Sequence, residues 1–353
     1  MSLKDLRAKI DAIDEQILSL LSDRGCAAAS IAKIKQKERS GVFVPSRERQ
    51  ILEHLTSLNS GPLPAESVRA IFEQIIAACR LLESPISVAY LGPPGTYSNM
   101  AALRKFGADA IFLPAATVEE VFSIVEKKKT QFGVVPVENS IAGFERTTLD
   151  RFVNSSIHAC AECYIDVQHN LLCISPHEEI KRVYSHPQGI DQCRNWLRAN
   201  LPSAETVEVS STARAAQLAA EEPGSAAIGT ELAASLYNLP IVASSIQDRA
   251  DNRTRFLVIG RDEAQPSGKD KTSLVFAVPN RPGSLWEALA IFQHNKINMM
   301  MIESRPTKQN PWEYVFFADV QGHCADEPLA TALRELANCA PFMKVLGSYP
   351  EAE

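Results

Sequence analysis

Thr254 stands between Arg253 and Arg255, where the polar run from Asp248 passes directly into the apolar residues Phe256 to Ile259. A hydroxyl flanked by two guanidiniums can donate a proton or a hydrogen bond beside an anionic substrate. The same residues can form a strand-end cluster of ion pairs, and this stretch alone favours the ion pairs. A second group of charges lies near the N-terminus. Arg24 and Lys35 are 11 residues apart, which at about 100° per residue puts them near one helix face, about 16 Å apart along the axis. Arg7 precedes Lys35 by 28 residues, about 42 Å on a straight helix. A small anion cannot touch both ends, so Arg7 can join such a site only from a second subunit.

The elements that would carry these groups follow from periodicity. Leu3, Leu6, Ile10, Ile13, Ile17, Leu20, Ala27, Ile31 and Ile34 recur mostly at three- and four-residue steps, the pattern of one long amphipathic helix. Val42-Phe-Val-Pro45 breaks it, a second helix starts near Ser46, and a third runs from about Pro64 to Leu82. A helix longer than so small a core needs implies packing against another chain. From Ser87 the pattern becomes α/β alternation. Strand Ser87–Leu91 leads into Gly92-Pro-Pro-Gly-Thr-Tyr-Ser98, with Ser98 a suitable N-cap for the helix that follows. Strand Phe132–Val137 delivers Glu138, Asn139 and Ser140. Strand Ala161–Val167 leads to His169, and Val183-Tyr-Ser-His-Pro-Gln188 precedes a helix with Gln192. Strands that end in polar residues and alternate with helices predict a doubly wound α/β architecture with a cleft site. After a polar linker from Asp262 to Lys271, the remaining pattern is βαββαβ, an α+β ferredoxin-like arrangement.

A chain of 353 residues predicts two or three domains. Its 45% hydrophobic and 22% charged residues are ordinary for a globular protein. No apolar run approaches the roughly 20 residues of a membrane span, and the N-terminus lacks the apolar core of an export signal. The net charge of −6 argues against nucleic acid as a partner. The eight cysteines are therefore expected to be reduced thiols of a cytoplasmic protein. Cys160-Ala-Glu-Cys163 has no second ligand pair and predicts no metal site.

Residues 1–84 resemble the all-α chorismate mutases, which are intertwined three-helix dimers. The resemblance rests on Leu6-Arg7 with Ile10-Asp11 and Asp14, Leu20-Leu21 to Arg24, Ile31-Ala-Lys-Ile-Lys35, Pro45-x-Arg47-Glu48, and Ile75-Ile76 to Glu83. It implies that Arg7 of the partner chain, Arg24 and Arg47 grip the carboxylates of chorismate, Lys35 faces the enol-ether oxygen, and Glu48 holds the hydroxyl. Glu83, a further implied substrate ligand and catalytic group, stands where some relatives have Gln, and as a carboxylate it can donate to the ether oxygen only when protonated; Val44 stands where some have Asp. Residues 86–262 resemble prephenate dehydratase through GPPGTYS, PVENSIAG, SHPQ with QC, GTELAASLYNL and NRTRF, five motifs in order over about 170 residues. That family has two α/β lobes like those of periplasmic binding proteins, the second here about residues 165–240. The resemblance implies Thr254 as donor to the leaving hydroxyl and Glu138 as a second acid. It also implies that Thr96, Ser98, Asn139, Ser140, Ser185 and Gln192 bind substrate. Arg255 is either a further substrate ligand or a structural ion-pair partner.

Residues 271–350 resemble the ACT domain through Asn280-Arg-Pro-Gly-Ser-Leu285 and Ile302-Glu-Ser-Arg-Pro306, with Asn310-Pro-Trp312-Glu313 in support. This implies an L-phenylalanine site across a dimer interface, formed by Gly283, Ser284, Leu285, Glu303, Ser304, Arg305 and Pro306. Ser284 replaces the usual alanine. The multi-domain whole resembles the bifunctional chorismate mutase–prephenate dehydratases. The resemblance implies conversion of chorismate through prephenate to phenylpyruvate without metal or organic cofactor, feedback inhibition by L-phenylalanine, and a homodimer that can pair into a tetramer. The alternatives are a dehydratase for prephenate or arogenate with a vestigial mutase arm, and a non-catalytic amino-acid sensor.

Overall fold

The computed structural model describes residues 2–38, 43–174, 179–306 and 314–352. Val42 and the Asn310 to Glu313 segment fall outside the described residues. The chain divides into two compact units. One is Met1–Ile86 with Phe106–Ile111, the other Ser87–Lys105 with Phe112–Glu353.

The first unit is built on the 36-residue helix Leu3–Glu38, about 54 Å long. Pro45, whose fixed φ suits a first helical turn, opens Pro45–Leu58, and Ala65–Glu83 follows. Ala28, Phe43, Leu52, Ile76, Ala77 and Cys79 are among its buried residues. Leu6, Ile10, Ile13 and Ile17, spaced to share one helix face, are 43%, 56%, 43% and 49% exposed. The amphipathic pattern of the long helix therefore has an apolar face that its own chain does not cover.

Among the described residues, the second unit contains three sheets. The first runs in the order Ile111–Ala115, Ser87–Leu91, Phe132–Asn139, Arg253–Gly260, His158–Asp166, with Gly143–Phe144 paired to Phe132–Asn139. It is mixed: Ser87–Leu91 and Phe132–Asn139 are parallel, whereas Arg253–Gly260 is antiparallel to both neighbours. The second sheet has the order Ile241–Ala243, Asn170–Leu172, Ser225–Gly229, Arg182–Ser185, Glu205–Glu208. The chain thus leaves the first sheet after Asp166, builds a second lobe, and re-enters the first sheet at Arg253.

The third sheet has the order Met299–Pro306, Tyr314–Gln321, Asp270–Ala277, Met343–Pro350, with helices Ser284–His294 and Leu329–Cys339. This is the ferredoxin-like βαββαβ arrangement. Its core is continuous with that of the first sheet: Val135, Phe152, Leu257 and Ile259 pack in one cluster with Val275, Phe317, Leu346 and Tyr349. The sheets approach so closely at Gly347 that a Cβ there would overlap the Ala159 carbonyl.

Candidate active sites

The loop before Arg253–Gly260 is tied down before Thr254 is reached. Ser140 Oγ accepts the Arg253 N–H at 2.9 Å and donates to the Asp251 carbonyl at 3.2 Å. Thr254 is in register with Asn139 on the neighbouring strand, and Asn139 Nδ2 donates to Thr254 Oγ1 at 2.9 Å. Backbone fixes the direction of that bond. Asn139 Oδ1 accepts the N–H groups of Ile141 and Ala142 at 3.0 and 2.9 Å, so the amide nitrogen has to face Thr254. Thr254 receives a hydrogen, and this bond does not use its own.

The chain of amides continues into the second lobe. Asn139 Nδ2 also donates to Asn252 Oδ1 at 2.8 Å, and Asn252 Nδ2 donates to Gln192 Oε1 at 3.0 Å. Asp248, at the start of the loop, accepts the Asn195 and Trp196 N–H groups, and its own N–H donates to the Gln192 carbonyl. One loop therefore holds both Thr254 and Gln192. Ser185 is fully buried and donates to the Ile228 carbonyl at 3.2 Å.

The GPPGTYS loop meets the second lobe from the other side. Thr230 Oγ1 donates to the Gly95 carbonyl at 2.7 Å. Gly95 has φ +90° and a Cβ on it would come within 3.3 Å of Ala233, so both conformation and space call for glycine. The helix begins at Tyr97, and it is Thr96 Oγ1, not Ser98, that accepts the Asn99 N–H, at 3.4 Å. The cap expected at Ser98 is thus shifted two residues, and Ser98 lies buried within the first turn.

Glu138 and Arg255 sit on the opposite side of the pleat. Asn139 faces Thr254, so the preceding and following residues point the other way, and Glu138 Oε2 lies 3.9 Å from Arg255 Nη1. Burial pushes the Glu138 carboxyl above its ordinary range, with Arg255 pulling against it. Side-chain alternation thus separates Glu138 from Thr254. Arg255 is 3% exposed and bonds to Glu162 at 2.8 Å, Asp319 at 2.5 Å and Tyr349 at 2.9 Å. Lys271 joins Glu162 at 2.9 Å. Burial opposes the charge on Arg255, but Tyr349, Asp319 and Glu162 outweigh it and raise its pKa. Of the two roles open to Arg255, these contacts are those of the structural one. They balance two cations against two carboxylates and tie Arg253–Gly260 and His158–Asp166 to the third sheet.

In the helical unit, Lys35 Nζ and Glu83 Oε2 form an ion pair at 2.8 Å, and Arg24 Nη1 donates to the Ile75 carbonyl at 3.5 Å. Arg47 is exposed and reaches Gln50 Oε1. Arg7 is exposed, 28 residues along the helix from Lys35. Glu48 is ion-paired with Arg80, which is 3% exposed with its guanidinium 4.9 Å from the Phe43 ring centroid and 5.4 Å from that of Phe106. Local pattern assigns no contact to Arg80, although a lone cation within the apolar run Ile75 to Leu82 is a usable signal. Asn252 and His169 carry no such signal, because their polar neighbours are distant in sequence.

The third sheet carries an open cleft of about 390 Å³ lined in part by Asn280, Arg281, Gly283, Ser284, Leu285 and Tyr314. Ser284 is buried and donates to the Arg281 carbonyl. Glu303, Ser304, Arg305 and Pro306 lie on the edge strand Met299–Pro306 and do not line this cleft. Arg305 instead pairs with Asp150 at 3.2 Å and donates to the Arg146 carbonyl.

Comparison with known proteins matches these regions to three families. Residues 6–84 match chorismate mutase type II, residues 88–264 prephenate dehydratase, and residues 272–338 the ACT domain. A bifunctional chorismate mutase/prephenate dehydratase of Aquifex aeolicus is 46% identical over 355 residues, covering 99% of this chain and 98% of its own. Its counterpart in Stutzerimonas stutzeri is 44% identical over 357 residues, with the same coverage. Among solved structures, a prephenate dehydratase from Arthrobacter aurescens in complex with L-Phe superposes with a TM-score of 0.71 at 34% identity, covering 76% of this chain and 90% of that one. No described helix is long and apolar enough to cross a membrane.

Proposed function

The chain belongs to the bifunctional chorismate mutase/prephenate dehydratase family, and we propose that its regions divide the work as follows. Residues 1–84 rearrange chorismate to prephenate, residues 86–262 convert prephenate to phenylpyruvate, and residues 271–350 bind L-phenylalanine to restrain the second step. The enzyme is an isomerase and a lyase in one chain, on the route to L-phenylalanine.

The rearrangement breaks a C–O bond as a C–C bond forms, so it needs no nucleophile. Orientation and stabilisation of charge growing on the ether oxygen suffice. Lys35 donates to that oxygen, and Glu83, 2.8 Å away, holds the ammonium in place. Arg24 and Arg47 bind the carboxylates, and Glu48, braced by Arg80, binds the hydroxyl. Arg7 is supplied by a second copy of the chain. The uncovered face at Leu6, Ile10, Ile13 and Ile17 supports a dimer built on the long helix.

In the dehydratase step the bond from ring to carboxylate breaks and CO2 leaves. Its electron pair aromatises the ring, and the ring hydroxyl departs. Hydroxide is a poor leaving group, so a donor must meet it. The observation that carries this reading is the direction of the Asn139–Thr254 bond, which leaves the Thr254 hydrogen for the departing oxygen. The oxygen leaves as water, and solvent restores the proton. Gln192, Ser185, Thr96 and Ser98 position the substrate.

L-phenylalanine occupies the cleft at Gly283, Ser284 and Leu285, with Glu303 to Pro306 added by the partner subunit. An assay supplied with chorismate alone tests the whole reading. It should show loss of chorismate and appearance of phenylpyruvate, with L-phenylalanine depressing the second and not the first. Phenylpyruvate formed only when prephenate is supplied would remove the mutase function. A dehydratase rate flat across a phenylalanine titration would remove the effector.

A further inference from the structure

His169 lies between the strands His158–Asp166 and Asn170–Leu172, 2% exposed, where the chain passes from the first lobe to the second. Its backbone is pinned on both sides: His169 N–H donates to Gln247 Oε1 at 3.0 Å, and its carbonyl accepts the Ile246 N–H at 2.8 Å. Its Nε2 is 2.7 Å from Gln192 Oε1, and its Nδ1 is 3.2 Å from the Tyr97 hydroxyl, which donates to the Gln168 carbonyl at 2.7 Å. The Tyr97 and His169 rings meet edge to face at 5.9 Å.

The sense of the bond to Gln192 is determined. Gln192 Oε1 already accepts from Asn252 Nδ2, and that amide is oriented in turn by Asn139 and the Ile141 and Ala142 N–H groups. An amide oxygen only accepts, so His169 Nε2 must carry a hydrogen. Burial holds His169 below its ordinary pKa, so that hydrogen is its one N–H; Nδ1 can then only accept, and the single Tyr97 hydroxyl hydrogen lies between it and the Gln168 carbonyl. With two donors on Oε1, both hydrogens of Gln192 Nε2 are left for a ligand, as the Thr254 hydrogen is at the other end of the same chain.

We propose that His169 is a positioning residue of the dehydratase site, which with Asn252 clamps the Gln192 amide so that its nitrogen faces the substrate as a donor. The clamp suits a substrate that presents carboxylate and hydroxyl oxygens, and it rests on the placement of Gln192 at the substrate proposed above. Tyr97, from the GPPGTYS loop, sets the ring plane and so ties the clamp to the lobe that carries Thr254.

The test is a double-mutant cycle on the full-length enzyme, with the mutase rate and melting temperature followed as controls of folding. Gln192→Ala should raise KM for prephenate and lower kcat. His169→Leu should lower kcat/KM by about 10²-fold through misplacement of the amide. His169→Gln, which can still donate from a nitrogen near the Nε2 position, should recover most of that loss. In the Gln192→Ala background His169→Leu should then cost no more than about twofold, because residues that act through one another do not add. Additive losses, or His169→Gln as impaired as His169→Leu, would overturn the proposal and leave His169 a packing residue. Gln192→Ala at full rate would overturn the placement of Gln192 itself. If His169→Leu does not fold, His169→Phe, which keeps a ring against Tyr97 but has no N–H, carries the same comparison in both backgrounds.

Discussion

Asn139 Nδ2 donates to Thr254 Oγ1 at 2.9 Å, and the N–H groups of Ile141 and Ala142 prevent the amide from turning over. The two residues are in register on adjacent antiparallel strands, so the relationship is built into the sheet. It makes Thr254 an acceptor towards Asn139 and leaves its own hydrogen for the proposed role as donor. Thr254→Ala is therefore expected to lower dehydratase kcat by about 10²- to 10⁴-fold, the range of one positioned acid, with the mutase rate unchanged. Thr254→Ser keeps the hydroxyl and should retain much more activity. Near-normal phenylpyruvate formation by Thr254→Ala would sink the assignment.

Asn139→Asp tests the direction of the bond. A carboxylate keeps both backbone contacts but has no N–H, so the Thr254 hydrogen turns inward to it. Dehydratase kcat should fall by at least about 10²-fold, with circular dichroism and melting temperature close to wild type. A variant of unimpaired rate would show that the sense of this bond is irrelevant to catalysis.

Lys35→Ala should reduce mutase turnover by orders of magnitude, because a preorganised charge at the ether oxygen is the main aid a pericyclic reaction can receive. The chain should stay a dimer by light scattering and still dehydrate added prephenate. Retained mutase turnover would return the helical unit to a purely structural arm.

Arg255→Leu separates two roles for Arg255. In the buried cluster its removal leaves Glu162 and Asp319 with only Lys271 to balance them. Breaking a buried pair on one side costs about 3–5 kcal/mol, which for a unit of this size lowers the melting temperature by roughly 10 °C. A variant that melts like wild type but binds prephenate poorly would instead make Arg255 a substrate ligand.

Glu138 gives a pH dependence of known sign. Burial raises its folded pKa, against Arg255 and Lys271 and with Asp319 and Glu162. The folded state thus holds this proton to higher pH than the unfolded chain does, and stability falls as pH rises from the ordinary carboxylate range through the folded pKa. Glu138→Gln cannot ionise, so it should melt at or above the wild-type temperature at pH 7, with the difference vanishing in acid. A variant less stable than wild type at pH 7 and equal to it in acid would reverse the sign and contradict burial as the dominant influence.

The sequence by itself determined the three family regions and named most of the groups proposed to do chemistry. Apolar steps of three and four between Leu3 and Ile34 specify a helix, strand endings at Asn139 and Arg253 specify where polar residues emerge, and each of these is a local property of the chain. The apolar face at Leu6 to Ile17 could likewise be inferred from helix length. Local pattern failed where partners are distant in sequence. Ser98 and Thr96 are equally good caps on paper, and only the helix start at Tyr97 chooses between them. The pleat that turns Glu138 away from Thr254 depends on strand register, which pairs residues more than a hundred positions apart. Arg255 looked identical in kind to Arg253, yet it is buried against the third sheet while Arg253 is half exposed beside Asp166. His169, Asn252 and Arg80 acquire roles only from hydrogen bonds and ion pairs across 23 to 113 positions. The sense of such bonds is decided by which donors and acceptors folding brings face to face.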